Sequence, residues 1–206
     1  MNQKQKVRIV IFAKAPLPGQ AKTRLSPALG AIGAAELAKK LLRHCVNEAL
    51  KADLDAVELC VSPSLHHPLW DELDIPQTVE WTEQGEGDLG ERLARATDRA
   101  TTQGETVLLI GTDCPGLTAE TLREAAQSLA HHQACMVPVS DGGYALLGLY
   151  HDMPSLFTNM PWSTATVAKL TRQRIRAAGW TLKVLESLHD IDEPQDLQWL
   201  PTGWLP

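Results

Sequence analysis

Residues 107–113 read Val-Leu-Leu-Ile-Gly-Thr-Asp. The four apolar residues do not alternate with polar ones, the pattern of a strand buried on both faces, and the run stops at a glycine followed by an acid. A second run of this kind, Val7, Ile9, Val10, Ile11 and Phe12, stops at Lys14. Strands buried on both faces belong to parallel sheets covered by helices, so these two segments decide the fold class. Around them, apolar stripes at helical spacing predict helices over 31–50 (Ala38, Leu41, Leu42, Cys45, Val46) and from Asp88 onward (Leu89, Leu93, Ala96, Ala100). Asp88-x-x-Glu91 is a helix-start signal, and Thr118 opens another helix to about His131. Strands are predicted at Val57–Val61, Thr78–Thr82, Cys135–Val139 and Tyr144–Leu149. Ser163 or Thr164 is expected to cap a helix carrying Val167, Leu170 and Ile175. Trp180, Leu182 and Val184 alternate with polar residues, which places that strand near a sheet edge, and Pro194–Leu200 reads as a short helix. Alternating strands and helices predict an α/β fold, a three-layer α/β/α sandwich on a mainly parallel mixed sheet, as one domain over 1–206.

Composition narrows the function. With 44% hydrophobic and 21% charged residues the chain is globular. A net charge of −6 excludes a broad basic footprint, so no nucleic-acid partner is expected. Cys45, Cys60, Cys114 and Cys135 are scattered without a C-x-x-C, which argues against a disulfide scaffold or zinc knuckle and fits a reducing, cytoplasmic setting. No signal segment or membrane span is expected. Trp199, Trp204 and Leu205 lie in an apolar tail that could dock a second copy, making a homodimer.

In α/β sheets ligands bind outside the carboxyl ends of the strands. Lys14, Asp113, Asp141 and the Asp190/Asp192 pair all follow strands, so they should converge on one edge. Residues 14–25, KAPLPGQAKTRL, are a turn stiffened by Pro16, Pro18 and Gly19 and carrying Lys14, Lys22 and Arg24, with Thr23 between the last two. Clustered cations with backbone N–H groups suit a pyrophosphate. The second glycine of a Walker A loop is missing, which excludes a P-loop. Asp113 ends the most apolar strand, where a carboxylate needs a partner; a divalent cation would serve, against the plainer reading of a turn residue. Asp192 is either a second ligand for that cation or the cap of the last helix. Asp88, Leu89, Gly90 and Arg92 are a helix start and equally a ligand-closing loop. Asp141-Gly142-Gly143-Tyr144 reads first as a tight turn, with close approach to a ligand as the alternative. Trp162-Ser163-Thr164 reads as core packing plus a cap, with an acceptor pocket as the alternative. The adjacent pairs His66-His67 and His131-His132 cannot share a metal and are read as surface residues. Cys114 has no evident base beyond His189.

Six segments occur in order: FAKAPLPGQAKTRL (12–25), GDLGERL (87–93), GTDCPGL (111–117), SDGGYALLGL (140–149), PWST (161–164) and DIDEPQDL (190–197). Together they resemble the bacterial DUF2064 family, also called radical-SAM/selenodomain-associated transferase 1. At longer range the chain is similar to GT-A-type glycosyltransferases and to small nucleotidyltransferases of cofactor biosynthesis. The resemblance implies a nucleotide-diphospho-sugar transferase fold. It implies nucleotide phosphates on the loop of Lys14, Pro18, Gly19, Lys22, Thr23 and Arg24, and a divalent metal, Mg²⁺ or Mn²⁺, on Asp113 with Asp192. The catalytic set it implies is Asp113, Lys22 and Asp192. Asp88, Leu89, Gly90 and Arg92 would add to the nucleotide site, and Asp141, Gly142, Gly143, Tyr144, Trp162, Ser163 and Thr164 to the acceptor site. The expected partners are a nucleotide-sugar or NTP and a small-molecule acceptor.

The chain departs from both relatives. Thr112-Asp113-Cys114 holds one acid where GT-A glycosyltransferases carry D-x-D, and the loop at 14–25 lacks the G-G-x-G-x-R of most nucleotidyltransferases, being nearest to the lactyl-phosphate guanylyltransferase type. The expected activity is a metal-dependent glycosyl transfer from a nucleotide-sugar. The alternatives are nucleotidyl transfer with pyrophosphate release and, from another class, a non-catalytic nucleotide-binding module.

Overall fold

The computed structural model describes residues 5–205, so the first four residues and the last one of the expected domain lie outside the described residues. Seven strands form one sheet: β1 (Lys6–Lys14), β2 (Ala56–Ser62), β3 (Glu80–Glu83), β4 (Glu105–Ile110), β5 (Ala134–Pro138), β6 (Tyr144–Leu149) and β7 (Leu182–Val184). Their order is β3-β2-β1-β4-β6-β5-β7. All neighbours pair in parallel except those of β6, which runs antiparallel to both β4 and β5. The expected mixed, mainly parallel sheet is thus present, with one reversed strand. Four helices cover it: α1 (Ser26–Lys51), α2 (Leu89–Thr102), α3 (Ala119–Ser128) and α4 (Val167–Ala177).

Alternation sorts the strands' side chains onto two faces. Ile9, Ile11, Leu108 and Ile110 pack with Leu42 and Val46 of α1 and Leu122 and Ala125 of α3. Val10, Val107 and Leu109 pack with Leu93 and Ala96 of α2 and Ala168 and Ile175 of α4. Helices on both faces make the three layers, and the double burial explains why β1 and β4 read as continuous apolar runs.

Two local expectations change. The helix expected from Ala31 is preceded by one turn from Ser26, joined at Gly30, whose φ of 69° breaks the helical path. Neither Ser163 nor Thr164 caps α4: the N-cap is Thr166 and its side chain caps nothing. The Gly142 carbonyl instead accepts the Ala168 N–H at 2.9 Å, so tertiary contact replaces the local cap. The Asp88/Glu91 capping box and the Thr118 cap form as read, and β7 does lie at the edge.

Candidate active site

β1 and β4 are parallel neighbours, so Lys14 and the residues after Ile110 leave the sheet at the same edge. The reversed β6 brings its start there, because Ile110 pairs with Leu146. The turn from Val139 to Gly143 therefore enters this edge too. Beyond β7, Leu188 pairs again with Val139, and this bridge delivers Asp190 and Asp192. The four acidic and basic points read from the sequence meet as expected.

Lys22 is their hub. Its backbone is left-handed (φ 48°), and its side chain is only 6% exposed. Its ammonium lies 2.8 Å from Asp113 Oδ1 and 3.7 Å from Asp192 Oδ1, and it donates to the Ile191 carbonyl. The Asp113 carboxylate is half exposed, so the partner that its position demands is Lys22. Arg24 pairs with Asp192 Oδ2 at 2.6 Å and remains 60% exposed. Lys14 is exposed at the end of β1 with no ion-pair partner among the described residues. Pro18 and Gly19 form the exposed crest of the loop, and Thr23 opens a short 3-10 turn, Thr23–Leu25.

Asp192 does not cap the last helix. Glu193 does so in a capping box with Asp196, whose Oδ2 accepts the N–H groups of both Asp192 and Glu193. Ile191 is fully buried, and in an extended segment its two neighbours then face outward together. Asp190 belongs to the same acidic group. Burial, then the nearby Asp141 carboxylate, raises its pKa to about 6. Its signal was the i, i+2 spacing around an apolar residue.

Asp113 and Asp192 flank one ammonium, and they are the residues that would hold a divalent ion. Their hard oxygen donors fit Mg²⁺ or Mn²⁺, which bind through one or two carboxylates with phosphate and water completing the sphere. Among the described residues no group of three or more His, Cys, Asp or Glu side chains forms a complete cage. Lys22 holds the intervening position, so an arriving ion must share or displace it.

On the α2/α4 side of the edge lies a cavity of about 250 Å³, lined among others by Phe12, Leu89, Asp141, Tyr144, Trp162 and Thr164. Gly143 and Ser163 also line it. Gly142 faces elsewhere: a Cβ there would overlap the Ala165 carbonyl, so its close approach is to the chain and not to a ligand. The same holds for Gly90, covered by the Phe157 carbonyl and the Trp162 indole. Gly143 N–H donates to Asp141 Oδ1 at 2.8 Å, so the segment is indeed a tight turn, and Asp141 sits at its tip. Trp162 is half-buried, with Nε1 lacking a partner. Arg92 donates to the Gly87 carbonyl and to Gln84, and Arg95 to the Gln84 and Glu86 carbonyls, so these cations brace the loop before α2. Gln84, which the sequence did not single out, is 4% exposed and ties Ala13 of β1 to Cys60 of β2. A larger cavity, about 920 Å³, lies at the opposite end of the strands, near Val7, Thr106 and Tyr150, away from this chemistry.

Cys114 donates to the His189 carbonyl at 3.3 Å, and burial pushes its thiol up to about 11, so it is no nucleophile. The His189 ring stacks on Trp199 with centroids 3.8 Å apart.

The described structure has no helix long and apolar enough to cross a membrane. A candidate nucleotide-diphospho-sugar transferase from Desulfovibrio desulfuricans G20 superposes with a TM-score of 0.83 at 30% identity, over 94% of this chain and 85% of that one. 4-Diphosphocytidyl-2C-methyl-D-erythritol synthase superposes with a TM-score of 0.64 at 14% identity, over 96% and 97%. CMP:2-keto-3-deoxy-manno-octonic acid synthetase, solved with CTP, gives 0.59 at 13%, over 95% and 96%. The fold is therefore of the nucleotide-diphospho-sugar transferase type, GT-A-like. No curated protein sequence matches. The family model of DUF2064, described as an uncharacterized protein conserved in bacteria, matches residues 45–164, and the chain belongs to that family.

Proposed function

We propose that this protein is a transferase using a nucleotide-activated donor, and that it moves a sugar from a nucleotide-sugar to the hydroxyl of a small acceptor. The observation that carries this reading is the Lys22 ammonium held against Asp113 and Asp192, beside Arg24, at the carboxyl edge of the sheet and next to a cavity. Lys14, Lys22 and Arg24 would bind the donor's diphosphate, with the backbone of Pro18, Gly19 and Thr23 framing it. Asp113 and Asp192 would hold Mg²⁺ or Mn²⁺. When bound, the ion offsets the charge that gathers on the departing phosphate. Lys22 and Arg24 add fixed positive charge at that place and need no reorganisation as the bond breaks. Asp88 would close the nucleotide side at the end of the loop that Arg92 braces. Asp141, Gly143, Tyr144, Trp162, Ser163 and Thr164 would form the acceptor side.

A second reading is nucleotidyl transfer to a phosphorylated small molecule. It is favoured by the single acid after β4 and by likeness in fold to synthases such as the one solved with CTP. The products separate the two: a nucleoside diphosphate for sugar transfer, pyrophosphate for nucleotidyl transfer. Binding without either product points to a module that only binds nucleotide.

Calorimetry with a panel of nucleoside diphosphates and Mn²⁺ tests the shared part. Losing one charge-assisted contact should weaken binding about tenfold to a hundredfold in Lys22→Ala, and Asp113→Asn should lose the Mn²⁺-dependent share. Wild-type affinities in both variants would refute the site.

A further inference from the structure

The two sides of the edge differ in chemistry. Lys22 and Arg24 stand on the side of α1 and the 189–193 segment. On the α2/α4 side, the lining of the 250 Å³ cavity includes Asp141 as its one charged side chain and no Lys, Arg or His among the described residues. Most of that lining is apolar or aromatic, from Phe12 on β1 to Trp162 and Val167. Leu89, 42% exposed, sits at its rim.

This cavity is built rigid. The Arg174 guanidinium donates to the carbonyls of Ser155, Leu156, Thr158 and Asn159, at 2.7–3.2 Å, and fixes the chain that leads into the wall. The wall itself is seated on Gly90 at one end and Gly142 at the other, both without room for a side chain. Ser163, at its turn, holds a left-handed φ of 62°. Such a wall presents a fixed surface and has little freedom to recruit a distant cation.

Position assigns the occupant. A transferred group leaves a diphosphate held by cations and passes to an acceptor that must lie beside that diphosphate. The cavity, with Asp141 in its lining, lies at the same edge of the sheet as those cations. One oxygen of Asp141 accepts the Gly143 N–H, and Oδ2 has no partner among the described residues, so it can accept from a hydroxyl. A phosphate or carboxylate placed there would meet Asp141 with no counter-charge, which disfavours an anionic group.

We infer that the cavity receives the acceptor of the proposed transfer, and that this acceptor is an uncharged alcohol or phenol with an apolar or aromatic body. The inference rests on the transferase reading for its role, but the cavity's preference is a separate property. It sets the acceptor apart from the phosphorylated small molecules that nucleotidyl transfer would require.

The test follows the Trp162 indole N–H in ¹H–¹⁵N spectra, assigned with Trp162→Phe, while benzyl alcohol or benzyl phosphate is titrated. The alcohol should shift this signal at concentrations about tenfold lower than the phosphate ester, and should still do so with saturating nucleoside diphosphate and Mn²⁺. Thr164→Lys, which adds a cation at an exposed rim position, should improve binding of the ester. An ester that binds as well as the alcohol, or no response to the alcohol, overturns the inference. Displacement of the alcohol by nucleotide also overturns it and makes the cavity the slot for the base. Binding of the alcohol in a protein that binds no nucleotide keeps the cavity's preference and removes the transferase reading instead.

Discussion

Asp190 lies beside Asp141 in a half-buried position, and the cost of its charge appears as a raised pKa of about 6, against an ordinary value of 3.8. Below the ordinary value the group is protonated in both folded and unfolded chains and favours neither. As pH rises toward 6, the unfolded chain gives up its proton first, so the folded state loses stability through that window. Asp190→Asn removes this loss. The variant should melt above wild type at about pH 8, and the gap should close by about pH 4; a gap that stays constant with pH would show that the cause is packing. Single residues of this edge were legible because each ends a strand, as Lys14 does, or lies a few residues past one, as Asp113 and Asp141 do. Asp192 was ambiguous because a cap and a ligand both call for a carboxylate before Pro194. The structure gives the cap to Glu193 and pairs Asp192 with Lys22 and Arg24, contacts that no local pattern shows.

At the level of elements, the strands and the starts of α2 and α3 were legible from apolar runs and capping residues, which are local properties. The start of α4 was not, because the Ala168 N–H in its first turn is satisfied by the Gly142 carbonyl, 26 residues away in the chain. Gly142 and Gly111 make a matched pair of tests. Gly142 has a φ of 92° and would drive a Cβ into the Ala165 backbone, whereas Gly111 has open space around it and no left-handed φ. Gly142→Ala should cost about 3 kcal/mol, combining strain with overpacking. Gly111→Ala should stay within about 1 kcal/mol of wild type. Urea midpoints would check both, and equal midpoints would mean that the turn does not carry the wall of the cavity. Because the same turn bears Asp141, a shift at Gly142 should also show at the Trp162 indole signal.

Across the whole molecule, the amino end of the sheet carries a second set of charges. Arg8 on β1 is 6% exposed and pairs with Glu58 on β2, Glu80 on β3 and Glu105 on β4, while Arg99 of α2 also reaches Glu58. Each residue comes from a different element, and each looks like an ordinary surface charge in its own segment. No local pattern announced the group. Arg8→Met should cost about 3 kcal/mol or more in chemical unfolding, because it leaves Glu58 and Glu105 buried without that charge. Nucleotide affinity should be unaffected, since the group lies at the other end of β1; a binding defect would contradict that separation. The opposite end is completed differently. Lys22 reaches the Ile191 carbonyl across 169 positions of sequence, so the cationic loop that follows β1 waits for a segment made only after β7. A nascent chain that has formed β1, α1 and β2 already owns its cations but has no strap to hold them, and the loop is tied down only once residues 190–192 have followed β7.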